Sequence, residues 1–144
     1  MSTLQARNQS VIKAPIDAIW SVITDISQLP KVNPGVVKAT GRMDKQGKLR
    51  TCEIINHGRK GTMVERMVEL VPQSDTMGMS RMLRETRFVF NLEKPTDNET
   101  VVVTETFYEP NNFFATILNK LIMKRMINKA QDQILANIKV LTEK

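Results

Sequence analysis

Glu105 stands in an alternating run, Val101-Val102-Val103-Thr104-Glu105-Thr106-Phe107, and shares its side with Val101, Val103 and Phe107. If those apolar residues turn inward, the carboxyl turns with them. A carboxyl taken out of water costs free energy unless paired, and titrates above its usual range. Such a group orients a ligand hydroxyl or serves as a general acid and base. The plainer alternative is pairing with an inward arginine, or exposure near a sheet edge. Glu65 and Glu53 offer the same chemistry less clearly, because their strands alternate poorly. Arg81 and Arg87 can supply counter-charge or hold an acidic headgroup. His57 and Cys52 are each the single residue of their type. His57 is followed by Gly58 and reads as an exposed turn residue, whereas Cys52 lies in a strand and reads as a small buried hydrophobe. One histidine and no G-x-S-x-G leave little support for nucleophilic hydrolysis. Structural zinc needs about four Cys/His ligands, so no metal is expected. With six glycines scattered among turns and no G-x-x-x-x-G-K, no phosphate cradle or cofactor is expected either.

The elements that must position these side chains follow from periodicity and breakers. Ser10–Lys13 is a short β-prone run ended by Ala14-Pro15. Pro15 suits a first helical turn, and Ile16, Ile19, Trp20 and Ile23 then keep helical spacing until about Asp25, a local cap or turn residue. Ser27–Pro34, with Pro30 and Pro34, leaves room for one further turn and a loop. Val36–Arg42, Lys48–Asn56, Thr62–Val71, Thr76–Leu83, Glu85–Glu93 and Thr100–Tyr108 read as strands separated by turns at Asp44–Gly47, His57–Gly61, Pro72–Asp75 and Pro95–Asn98. Short strands at this spacing predict an antiparallel sheet. Asn112 is an N-cap candidate for a helix from Phe113 to about Leu141. Its stripe runs through Phe114, Ile117, Leu118, Leu121 and Ile122, and on through Ile127, Ala130, Ile134, Ile138 and Leu141.

At 144 residues, 41% apolar and 25% charged, residues 1–144 fit one soluble domain that folds without disulfides. No window approaches the ~18 apolar residues of a membrane span, and MSTLQARNQS lacks a signal core, so a cytoplasmic location is expected. The net charge of +6 is compatible with ordinary solubility or with an anionic surface as partner. Aromatic residues make up only 5% of the chain and do not interleave with the basic ones, which argues against nucleic acid.

Val11-Ile12-Lys13-Ala14-Pro15, Ile19-Trp20, Asp25, Pro30 and Asn33-Pro34, with this order of elements, resemble the START/Bet v 1-like (SRPBCC) superfamily. Within it the chain is similar to the polyketide cyclase/dehydrase and lipid-transport-like proteins. Val32 stands where that family often has a tryptophan. The resemblance implies an α+β helix-grip fold: a curved antiparallel sheet of six to seven strands wrapped around the long C-terminal helix, two short helices after strand 1, and a cavity between sheet and helix. Met67, Met77, Met79, Arg81, Phe88, Phe90, Val103, Glu105 and Phe107 would line the concave face. Leu118, Leu121 and Ile122 would face them from the helix. Nine methionines suit an irregular or adaptable apolar lining.

Three functions fit. The first is binding, and by extension transport, of a hydrophobic or amphipathic small molecule (lipid, isoprenoid or polyketide-like), with transient visits to an anionic membrane through basic residues of the helix. The second is a cyclase or dehydratase in which Glu105 acts as acid/base. The third is a protein-interaction module that binds an acidic partner through the convex sheet or the Lys124/Arg125 helix face.

Overall fold

A computed structural model describes residues 3–42, 45–56, 58–72, 76–83, 85–110 and 112–143. His57, together with Asp44, Asp75, Arg84 and Asn111, lies outside the described residues.

Seven strands, β1 (Thr3–Ile12), β2 (Val36–Gly41), β3 (Leu49–Asn56), β4 (Arg59–Pro72), β5 (Thr76–Leu83), β6 (Thr86–Thr96) and β7 (Glu99–Tyr108), form one antiparallel sheet. Their order is β1-β7-β6-β5-β4-β3-β2, so the first two strands occupy opposite edges. They are joined by α1 (Ile16–Thr24), a 3-10 turn (Ile26–Gln28) and α2 (Leu29–Val32). The chain closes with α3 (Phe113–Leu118), a π turn (Asn119–Met123) and α4 (Lys124–Thr142). The helix-grip architecture is therefore the one the sequence implies: a curved open sheet against a long C-terminal helix.

Local chemistry accounts for the boundaries. Pro15 is the N-cap of α1, one residue ahead of the first turn in which the sequence places it. Asp25 Oδ1 accepts from the Ser27 amide at 3.0 Å and the Ser27 hydroxyl at 2.7 Å, starting the 3-10 turn. Asn112 Oδ1 accepts from the Ala115 amide at 2.8 Å, as an N-cap should. Gly41 has φ +105°, and a Cβ there would sit 2.4 Å from the Leu49 carbonyl oxygen, so the β2–β3 hairpin needs glycine at this point.

The core lies where α1 and α2 are trapped between the sheet and the C-terminal half of α4. Ile12, Ile19, Cys52, Val102 and Ile138 are fully buried there. Burial of each Ile or Val contributes about 1.5–3 kcal/mol. Over β1 and β7 the layer is polar instead. Thr106 donates to Gln131, Gln131 donates to Asn8, and Asn8 donates to Asp132 at 2.8 Å. Nearer the start of the helix, Tyr108 donates to Asn119, whose amide donates to Gln5 at 2.9 Å. These bonds fasten one flank of the helix to β1 and β7.

Three expectations need correction. β1 begins at Thr3, well before Ser10. Its inward residues are Ala6, Asn8, Ser10 and Ile12, too polar to show as alternation. The inward face of β7 is Thr100, Val102, Thr104 and Thr106, because these pair across strands with the inward Leu92, Phe90 and Phe88 of β6. Val103, Glu105 and Phe107 thus take the outer face. Finally, Leu118, Leu121 and Ile122 are 41%, 63% and 48% exposed and do not face the strands. The π turn shifts the helical phase, so that Asn119, rather than its apolar neighbours, lines up with Ile127 and Gln131 on the inward side.

Candidate functional site

Because the helix is fastened over β1 and β7, a gap opens where the sheet curls away toward β3, β4 and β5. A cavity of about 160 Å³ lies there, lined by Arg50, Met63, Glu65, Arg81, Phe88 and Phe90 from the sheet and by Ile127, Gln131 and Ile134 from α4. It shares Asn33, Met63, Ile127 and Ala130 with a wider hollow of about 370 Å³ bounded by Val36, Ile54, Met123 and Met126. The two adjoin, with a buried polar floor in the first and, beside the π turn, a largely apolar mouth in the second. A larger trough of about 520 Å³ runs outside β3 and β4 along Val37, Glu53 and Lys60, away from this polar cluster.

The floor is built by strand register. Arg50 of β3 and Glu65 of β4 are cross-strand partners, both turned inward and almost fully buried. Glu65 Oε1 accepts from Arg50 Nη2 at 2.6 Å and from Arg50 Nε at 2.9 Å. A bulge in β4 between Met67 and Glu69 then resets the alternation, so Met67 and Leu70 stay inward while Glu69 turns out. Met67 pairs with Arg81 of β5, which brings Arg81 Nη1 to 3.8 Å from Glu65 Oε2. Arg81 in turn faces Phe88 across β5–β6, and its guanidinium lies 5.4 Å from the Phe88 ring and 5.6 Å from the Phe90 ring. One carboxylate therefore faces two guanidiniums, one of them held against two aromatic faces.

Among the described residues, two polar atoms of the cavity wall are buried without a hydrogen-bond partner: Arg81 Nε and Thr104 Oγ1. Burial pushes the Glu65 carboxyl up from its usual range, and the Arg50 guanidinium pulls against that shift. Burial likewise raises the Cys52 thiol, consistent with an inert core residue rather than a nucleophile.

Several residues singled out from the sequence meet here. Arg81, Phe88 and Phe90 line the cavity, while Met67, Met77 and Met79 are buried in the sheet beside it. Val103 and Phe107 turn to the opposite face. Glu105 borders the cavity wall, yet its carboxylate accepts from Asn91 at 3.4 Å and pairs with Arg7 at 4.0 Å, both on the outer face, so it points away from the floor. Arg87 also lies outside, donating to Ser80 and pairing with Glu69. Arg50, Thr104, Gln131 and the mouth residues Met123 and Met126 were not singled out. Counting outward from the turn at Gly58 pairs Arg50 with Glu65, a signal that was available.

A family model described as polyketide cyclase / dehydrase and lipid transport matches residues 3–143. The chain belongs to this family. No curated protein matches the sequence. Among solved structures, a START superfamily protein from Mycobacterium smegmatis is 11% identical, with 95% of each chain covered and a TM-score of 0.71. The major latex-like protein 151 of Panax ginseng is 13% identical, with 96% of each chain covered and a TM-score of 0.71. The di-domain aromatase/cyclase StfQ of the steffimycin biosynthetic pathway is 12% identical with a TM-score of 0.72; 95% of this chain covers 49% of StfQ. This family member therefore spans about half the length of that two-domain enzyme. At these identities the likeness establishes the START/Bet v 1 fold alone. Among the described residues, no helix is long and apolar enough to cross a membrane.

Proposed function

We propose that this family member binds a hydrophobic small molecule carrying one acidic oxygen, a carboxylate, phenolate or enolate, in the cavity between β3–β7 and α4. The observation that carries the reading is Arg81, whose unpartnered Nε and two aromatic neighbours border a largely apolar cavity. A buried guanidinium N–H left unpaired is costly, and an acidic oxygen of the ligand satisfies it with a charge-assisted bond. Thr104 Oγ1 offers a second polar contact, and the methionines around the mouth adapt to the apolar body of the ligand. Carriage of such a molecule between sites extends the same reading.

The test is extraction. Purified protein is denatured, extracted with organic solvent and analysed by mass spectrometry beside Arg81→Met treated alike. An apolar acid released from wild type and depleted in the variant is the expected result. A neutral compound released equally from both would overturn the role of Arg81.

A second reading, cyclisation or dehydration of a polyketide-like chain, is favoured by Glu65. It is a carboxyl with a raised pKa beside Arg81 at the cavity floor, where the outward Glu105 cannot serve. Turnover of a poly-β-keto thioester, lost in Glu65→Gln, would support it. Turnover unchanged by that substitution would remove Glu65 from the chemistry.

A further inference from the structure

The half of the long helix that leaves the sheet exposes what soluble helices bury. Eight large apolar side chains between Phe113 and Met126 are each at least 41% exposed, with Phe113 at 81% and Phe114 at 76%. Across α3 and the π turn the only buried residue is Asn119. Phe114, Ile117 and Leu121 follow helical spacing, so the outward surface is a continuous apolar stripe rather than scattered residues. Residues 110–131 contain Lys120, Lys124, Arg125 and Lys129 and no Asp or Glu. Lys120, Arg125 and Lys129 are exposed.

A helix whose apolar side points away from its own protein, and whose own charged side chains are all cations, has the composition of an element that lies in a lipid interface. We infer that the segment Phe113–Met126 docks on an anionic lipid surface. Its apolar side chains enter the boundary between headgroups and acyl chains, and its cations meet the lipid phosphates. A second copy of the chain fits this face less well, because a two-fold contact would set the same cations against themselves. The inference goes beyond small-molecule binding, yet the two adjoin: Met123 and Met126 belong both to the apolar segment and to the cavity mouth, so docking turns the mouth toward lipid.

The experiment is flotation of the whole protein with vesicles of about 30% phosphatidylglycerol in phosphatidylcholine, and with phosphatidylcholine alone, at low and high salt. Wild type is expected to float with the anionic vesicles, and less so as salt screens the cations. Lys124→Glu/Arg125→Glu is expected to bind at least about tenfold more weakly. Phe113→Ser/Phe114→Ser/Leu121→Ser is expected to lose binding to a similar degree, with unchanged circular dichroism. Arg81→Met is expected to float as wild type does, which separates this inference from the cavity reading. Absence of binding to anionic vesicles, or equal binding by wild type and the surface variants, overturns it. So does a lipid-free dimer that the triple serine substitution dissolves, which would assign the face to a second copy.

Discussion

At the scale of single residues, the cavity floor is governed by the cost of keeping charge away from water. Arg50 and Glu65 are 2% and 1% exposed and hydrogen-bonded to each other. Removing one member of such a pair strands the other, which typically costs about 3–5 kcal/mol, whereas replacing both with apolar residues of similar size is often neutral. Urea denaturation of Arg50→Met is therefore expected to show a loss approaching that size, because Glu65 keeps only its longer contact with Arg81, and most of it is expected to return in Arg50→Met/Glu65→Leu/Arg81→Met, which strands no charge; a triple variant as unstable as the single one would contradict the arrangement. The pH dependence has a definite sign. Glu65 is raised from its ordinary 4.5, so its protonated form contributes stability that is complete below that value and lost as pH rises through the folded pKa. Relative to Glu65→Gln, wild type is expected to lose stability as pH rises from about 4.5. A flat difference across that range argues against a raised pKa. Arg81 could be read from the sequence as a counter-charge beside the inward Met77 and Met79 of the same Met-rich strand. Glu105 reads as inward from the sequence, but Val101, Val103 and Phe107, the apolar side of β7, cover the outer face, while Thr100 and Thr106, both hydrogen-bonded, and the unpartnered Thr104 face in.

At the scale of elements, the same polar layer explains where the helix sits. Gln131 is buried and accepts from Thr106 while donating to Asn8, so it holds α4 to β7 and β1 together. Gln131→Leu keeps the volume and strands both partners; a loss of about 1–3 kcal/mol is expected by chemical denaturation, and an unchanged midpoint would mean that the layer does not hold the helix. Gly41→Ala is expected to destabilise the β2–β3 hairpin, since the new Cβ meets the Leu49 carbonyl at 2.4 Å and φ is +105°. A melting temperature equal to wild type would contradict that geometry. Strands β2 to β7 and the two short helices were legible because breakers separate them and β-branched residues fill them. Of β1 only the end, from Ser10, was legible, for farther back its inward Asn8 faces a helix that offers hydrogen bonds rather than apolar surface. The apolar stripe from Phe114 to Ile122 was legible as a stripe, but not its direction. Periodicity says that one side is apolar, and the π turn decides which side meets the sheet.

At the scale of the whole molecule, the seven-stranded sheet, the helix fastened along one flank and the gap along the other leave two adjoining hollows, one at Arg81 and one with its mouth at Met123 and Met126. The fold was legible in the order of elements and in the Ala14-Pro15, Ile19-Trp20 and Asn33-Pro34 positions. The chemistry of the site was legible only in part, because Arg50 and Thr104 acquire their roles from register across three hairpins. The central claim is that this cavity selects an apolar molecule with an acidic oxygen through Arg81. Two fluorophores with the same ring skeleton test it most directly: 1-anilinonaphthalene-8-sulfonate, which carries the anionic group, and N-phenyl-1-naphthylamine, which does not. Fluorescence titration of wild type is expected to favour the sulfonate by about tenfold or more, the worth of one charge-assisted hydrogen bond. Arg81→Met should lose that preference while still binding the neutral dye. Equal affinity of wild type for both dyes, or a preference that survives Arg81→Met, would contradict the claim.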